Sequence, residues 1–280
     1  MIDKVMPGPI HGSPCLKEAV CIHTRKIYDS CRLKECMQDL RVYMTRCSQE
    51  ILDRAVSVKA RSVELLWVYI DVEPVAFNKG FYNLEARFFY RVTADAYTGV
   101  GRPYEITGVT SYSKRIILYG GEGGARIFSS TYVPGAADVQ NPEKGNMPQA
   151  TVEVVAPILL ASSVTDPSCS CVCNNNGCGC TCDSDCGEPP AEVCGCFNDE
   201  LILDCDGKRL YVTIGQFGII RLERDSQLLI PSYDFCLPQK DCSCVDGGVS
   251  GSEDPCTVFA GLNFPTAEFF PGAENCGCNG

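Results

Sequence analysis

Histidine is almost missing from this chain: there are two among 280 residues, His11 and His23, both near the start. A catalytic triad or a metal centre built from imidazoles on a folded body needs histidines that the chain does not supply there. Cys-x-x-Cys does not occur once, so thioredoxin-like redox chemistry and the common zinc turns lose their signature. Lys and Arg are absent from residues 145–207 and again from 241–280, and the net charge is −11. Nucleic acid is therefore excluded as a partner, because its binding is driven by basic side chains neutralising phosphates. A basic helix lying on a membrane surface is equally missing. The longest apolar run, Val154 to Ala161, falls far short of the ~20 residues that span a bilayer. The first residues, Met-Ile-Asp-Lys-Val-Met-Pro-Gly-Pro-Ile, show no basic segment followed by an apolar one, so no secretory signal is expected.

What the chain does have is cysteine, 21 residues of it. Disulfide-dense scaffolds are usually short and use bridges to compensate for a small core. A chain of 280 residues that is 45% apolar can build a core without them, so the cysteines serve something beyond basic foldability. Five lie between Cys15 and Cys47, none in 48–168, and the rest in 169–280, seven of them from Cys169 to Cys186. The total is odd, so at least one thiol is free, binds metal or pairs outside its own chain.

Periodicity predicts a mainly β protein: an antiparallel β-sandwich body with a short helical, Cys-containing N-terminal segment and a Cys-rich irregular insert and tail. Residues 1–60 read as an extended arm followed by short helices. Cys36, Leu40 and Tyr43 fall on one helical face, and Ser48 is placed to cap a second helix. Residues 61–161 read as the sandwich, with strands from Arg61, over Phe81–Ala96, over Tyr104–Tyr119, over Ala125–Tyr132 after the turn Gly120–Gly124, and over Ala150–Leu160. Phe88, Phe89 and Tyr90 are expected in the core, and Glu85, Asp95, Glu105 and Glu153 on solvated faces. Residues 162–197 form the Cys-rich insert. Residues 198–235 hold further short strands, with two-residue turns at Asp206-Gly207 and Gly215-Gln216, and either complete the first sheet or make a small second domain. Residues 236–280 form the Cys-rich tail.

Cys-x-Cys occurs seven times. In an extended segment residues i and i+2 point the same way, so Cys169, Cys171 and Cys173 make a row of thiols on one side. Three readings stay open for the run that also contains Cys178, Cys180, Cys182 and Cys186: a disulfide network, a thiolate cluster holding zinc or copper, or free thiols. Cys15, Cys21, Cys31, Cys36 and Cys47 read as disulfide candidates, with His23 beside Cys21 as a surface histidine. Cys276 and Cys278 join the candidates at the far end. Phe264, Phe269 and Phe270 lie in a tail with little apolar support of its own and are expected to dock, on the parent domain or on a neighbouring subunit. No catalytic residue, no metal ligand and no cofactor is assigned.

The stretches Pro14–Cys31, Asp39–Tyr43, Ile70–Tyr82, Lys208–Gly215 and Pro231–Pro238 resemble a Cys-rich, largely uncharacterised family of spore-forming clostridia, associated with the outer layers of the spore. The resemblance implies a structural protein of the coat or exosporium type rather than an enzyme. It would be made without a signal peptide in the mother-cell cytosol and deposited on the spore surface. It also implies that the chain assembles with itself, and with other spore-coat proteins, into a disulfide-cross-linked lattice or filament. A metal-binding thiolate protein is the alternative.

Overall fold

A computed structural model describes residues 20–141, 144–166, 189–203, 207–230, 238, 240–242 and 255–269. The fold is mainly β and antiparallel. Its long strands are β1 (Val20–Met44), β2 (Ser57–Pro74), β3 (Phe81–Tyr97), β4 (Tyr104–Tyr119) and β11 (Arg209–Ile230), with the shorter β9 (Gln149–Val154) and β10 (Ile158–Thr165). They form one seven-stranded sheet in the order β10-β11-β1-β4-β3-β2, with β9 also paired to β11. The sheet curls until its two edges nearly meet, and Ala60 N–H of β2 donates to Ser162 Oγ of β10 across the seam at 3.4 Å. A cavity of about 350 Å³ remains in that seam, lined by Val63, Leu65, Val154, Val155, Ala156 and Pro157 among others. The architecture is thus an almost closed barrel rather than two separate layers.

The alternation of β3 explains why it sits at the centre. Tyr82, Leu84, Ala86, Phe88, Tyr90, Val92, Ala94 and Ala96 are all buried, and the residues between them are less so, apart from Phe89. Leu33, Met37, Val42 and Met44 of β1, Ile106 and Leu118 of β4, and Leu210, Val212, Ile214, Ile220 and Leu222 of β11 complete the interior. Burying an aliphatic or aromatic side chain of this size contributes about 1.5–3 kcal/mol. Helix α1 (Arg46–Arg54) follows β1 and adds Leu52 to the same core, as does Ala55 just after it.

The interior also holds polar groups. Lys114 Nζ donates to Glu35 Oε1 at 2.7 Å, with Lys114 7% and Glu35 19% exposed, and Tyr112 OH donates to the other carboxylate oxygen at 3.2 Å. This pair bridges β1 and β4 where they have splayed apart. The two strands are in register only at Tyr43–Val109 and Met44–Gly108. Gln216 is buried too. Its Nε2 donates to the carbonyls of Val155 and Phe217, and its Oε1 accepts from Tyr90 OH. Burial pushes the Tyr90 phenol well above its ordinary range.

Several sequence expectations are corrected. Residues 34–43 are not a helix but the second half of β1, where Cys31, Leu33 and Met37 point inward with period two. The helical spacing of Cys36, Leu40 and Tyr43 comes from a β-bulge: two residues, Gln38 and Asp39, stand opposite Thr213, and Asp39 has φ 49°. A helix does form at 46–54, with Thr45 rather than Ser48 at its start. Gly215-Gln216 is not a turn but lies inside the unbroken strand β11. The strand expected over Ala150–Leu160 is divided into β9 and β10 by Val155–Pro157, and both halves pair with β11. Proline has no N–H to give to the ladder there. After the Gly120–Gly124 turn the chain does not return as one strand. It makes a small arm of β5 (Arg126–Ile127) with β8 (Lys144–Gly145) and β6 (Ser130–Thr131) with β7 (Val139–Gln140). Arg224, buried at the base of the arm, donates to the carbonyls of Gly121, Gly123 and Asn146 and to Tyr82 Oη.

Candidate functional site

Two regions carry the chemistry that the sequence marks out. The first is the junction between the tail and β1. Cys31 is bonded to Cys242 and Cys36 to Cys256, with Cα–Cα distances of 5.1 and 5.5 Å. The chain between the partners is long, at 211 and 220 residues of separation. Backbone contacts reinforce the first bond: Arg32 N–H donates to Lys240 O, and Cys242 N–H donates to Arg32 O. The helix α3 (Pro255–Ala260) then brings Phe259 onto the outer face of β11, where it is 2% exposed and its ring centroid lies 4.5 Å from that of Phe217.

Phe264 meets Phe217 edge-on at 5.7 Å, and Phe269, in α4 (Thr266–Phe269), stacks on Phe264 at 5.2 Å. Lys34 Nζ of β1 donates to the carbonyls of Ala260 and Leu262, which closes the turn after α3. Phe264 and Phe269 therefore pack on their own chain. Phe270 lies outside the described residues.

The second region is a thiol-bearing patch where segment 189–203 covers the outer face of the sheet over Tyr43, Phe89 and Val109. Its one-turn helix α2 (Ala191–Cys194) buries Val193 completely against Tyr43, Phe89 and Val109. Arg91 donates to Cys196 O and lies 5.4 Å over the Phe197 ring. Arg46 N–H donates to Glu200 O, and Ile202 N–H to Met44 O, so the segment is stitched to the end of β1.

Three cysteines here are exposed and unbonded: Cys47 at the start of α1, Cys194 and Cys196. Asp199 accepts the Cys47 backbone N–H at 2.8 Å. A hydrogen bond to this carboxylate and its negative charge raise the Cys47 thiol above its ordinary value, while the hydrogen bonds from the Cys47 backbone N–H and thiol lower Asp199. Cys194 and Asp199 both line a cleft of about 220 Å³ with Glu200, Leu201 and Leu203.

Among the sequence candidates, Cys31 and Cys36 are thus in disulfides, Cys47 is an exposed thiol, and Cys21 lies in β1. Cys15, Cys169, Cys171, Cys173, Cys178, Cys180, Cys182, Cys186, Cys276 and Cys278 lie outside the described residues. Sequence reasoning missed Cys242 and Cys256 as partners, and Cys194 and Cys196 as surface thiols. No spacing rule connects residues more than 200 positions apart. The one signal was Cys256 standing three residues before Phe259 in the Cys-rich tail. No group of three or more potential metal ligands occurs among the described residues.

Over 291 aligned positions the chain is 26% identical to exosporium protein A of Clostridium sporogenes, covering 93% of this chain and 78% of that protein. The similarity supports a clostridial spore-surface protein family. No protein-family model matches the chain, and no solved structure matches it.

Proposed function

We propose that this chain is a structural protein of the spore surface that assembles with itself, and with other surface proteins, into a cross-linked layer. The observation that carries this reading is the similarity to exosporium protein A along 93% of the chain. The structure adds features that suit such a role. A nearly closed barrel supplies a stiff body. Two long-range disulfides hold the tail against it, each of a kind that adds about 2–4 kcal/mol. Exposed thiols at Cys47, Cys194 and Cys196 suit the formation of further bonds when an oxidant is met. A repeated contact that does not close on itself produces a sheet or a filament. Catalysis plays no part in this reading.

The test is made on spores. An antibody against this chain is applied to intact spores and to spores stripped of their outer layers, and extracts are run with and without reductant. Labelling of the intact surface, and high-mass species that collapse to one chain with reductant, are expected. A signal confined to the spore interior, or one chain at monomer mass without reductant, would overturn the reading in its location or in its covalent part respectively.

A further inference from the structure

Strand β1 has two edges. One pairs with β11 along nearly its whole length, from Val20–Ile230 to Val42–Leu210. The other faces β4 and pairs with it only at Tyr43–Val109 and Met44–Gly108. The slot left between these strands is crossed by the Glu35–Lys114 pair and by Asp29, whose carboxylate accepts the Tyr119 N–H at 3.1 Å. An open strand edge of this kind accepts an added strand. The tail supplies one. Arg32 N–H donates to Lys240 O at 2.7 Å and Cys242 N–H donates to Arg32 O at 2.6 Å, which makes a parallel bridge at Asp241. Both bonds lie on the edge of β1 away from β11. Arg32 Nε stands 2.8 Å from Asp241 Oδ1, and Lys240 Nζ stands 3.5 Å from Asp29. Cys242, 5% exposed, enters the barrel core beside Cys31.

The groups that hold the tail are Asp29, Cys31, Arg32, Lys34 and Cys36 of β1 and Phe217 of β11, with the notch at Gly215. A second copy of the chain presents the same groups, so a tail fits a neighbour's slot as well as its own. The two arrangements differ in the connection. Arg32 stands opposite Ile219, and β11 runs on from there to Ile230. That length of strand covers about 36 Å. The chain from Ile230 to Lys240 reaches at most about 33–36 Å. Filling the slot with the chain's own tail thus takes the whole reach of the connection and leaves none for a turn. A hinge kept that short favours exchange of the element it carries. We propose that in the assembled layer the tail of one copy, residues 240–242 and 255–269, occupies the β1–β4 slot of the next, so that Cys31–Cys242 and Cys36–Cys256 close between chains. Each body then gives one tail and takes one, a head-to-tail contact that grows without closing on itself. Close packing raises the local concentration of neighbouring slots, which is what lets exchange compete with closure inside one chain. The proposal rests on the reading of this chain as self-assembling, and supplies the contact.

Isotope mixing tests it on the full chain. Unlabelled and heavy-isotope-labelled protein are mixed in equal amounts with their thiols reduced, concentrated, and then treated with oxidised glutathione. Each bond forms as two cysteine thiols give up two protons and two electrons, and one oxidised glutathione becomes two thiols. The assemblies are pelleted and digested without reduction, and mass spectrometry reads the peptides joined through Cys31–Cys242 and Cys36–Cys256. In the pellet about half of these joined peptides should carry one label of each kind, the random-mixing value for bonds between chains. The same mixture oxidised at high dilution should give joined peptides of a single label. Assemblies whose joined peptides carry a single label throughout would overturn the exchange and leave self-assembly standing. A mixture that stays monomeric at every concentration would overturn both.

Discussion

Gly215 lies directly beneath the ring of Phe259: a Cβ placed on it would stand 2.7 Å from both Cδ2 and Cε2 of that ring. This explains a glycine in the middle of a central strand, where it weakens the strand by itself. The glycine makes room for the tail. Gly215→Val should therefore expel Phe259 and cost about 1–3 kcal/mol, as overpacking does. Limited proteolysis should then cut near 255–269 faster than in the unaltered protein. Gly215→Val with an unchanged cleavage pattern would mean that the tail is held without this contact.

The two disulfides should act non-additively. Each alone encloses more than 200 residues, worth about 5 kcal/mol in the chain-entropy treatment. Once one is closed, the other encloses only roughly 19 residues, from Cys31 to Cys36 and from Cys242 to Cys256, and adds about 3 kcal/mol. Cys31→Ser or Cys36→Ser alone should cost about 3 kcal/mol, and the double variant more than twice that. Denaturant unfolding of the three variants measures it.

The buried pair across the β1–β4 junction gives a third prediction. Lys114→Met leaves the Glu35 carboxylate without its cation in the barrel interior, a change that typically costs about 3–5 kcal/mol. Glu35→Gln keeps an oxygen for Tyr112 and Lys114 but leaves the more buried ammonium without its counter-charge, and should cost a similar amount. Chemical denaturation with an unchanged m-value would tie the loss to stability rather than to a different unfolded state.

Cys47 and Asp199 yield a prediction in reaction rate. The carboxylate opposes formation of the thiolate, and the thiolate is the nucleophile. In alkylation near pH 8, Cys47 should react slowly, and Asp199→Asn should speed it, because removing the negative charge brings the thiol back down. Mass spectrometry of the labelled peptides reads the rate directly. No acceleration in Asp199→Asn would show that the carboxylate does not govern the thiol.

The sequence made the β body legible where one face is buried and the period of two is clean, as in Phe81–Ala96 and Tyr104–Tyr119. It misled where a bulge shifts that period. Gln38 and Asp39 insert into β1 and lend its second half the spacing of a helix. It misled again at Gly215-Gln216, whose turn-like chemistry serves packing: the glycine admits Phe259, and the glutamine bonds Val155 and Tyr90 inside the barrel. The cysteine-free centre and Cys-rich flanks could be read directly. The bonds Cys31–Cys242 and Cys36–Cys256 could not, because pairing across the whole chain leaves no local trace. The exposure of Trp67 escaped for a similar reason, since it looks like any strand residue until its side chain is found half-exposed.

The central claim is assembly, and negative-stain electron microscopy of the purified full-length chain, before and after oxidation, tests it most directly. The account predicts ordered sheets or fibres that persist in denaturant after oxidation and loosen when reductant is added. A uniform population of single particles under both conditions would contradict it.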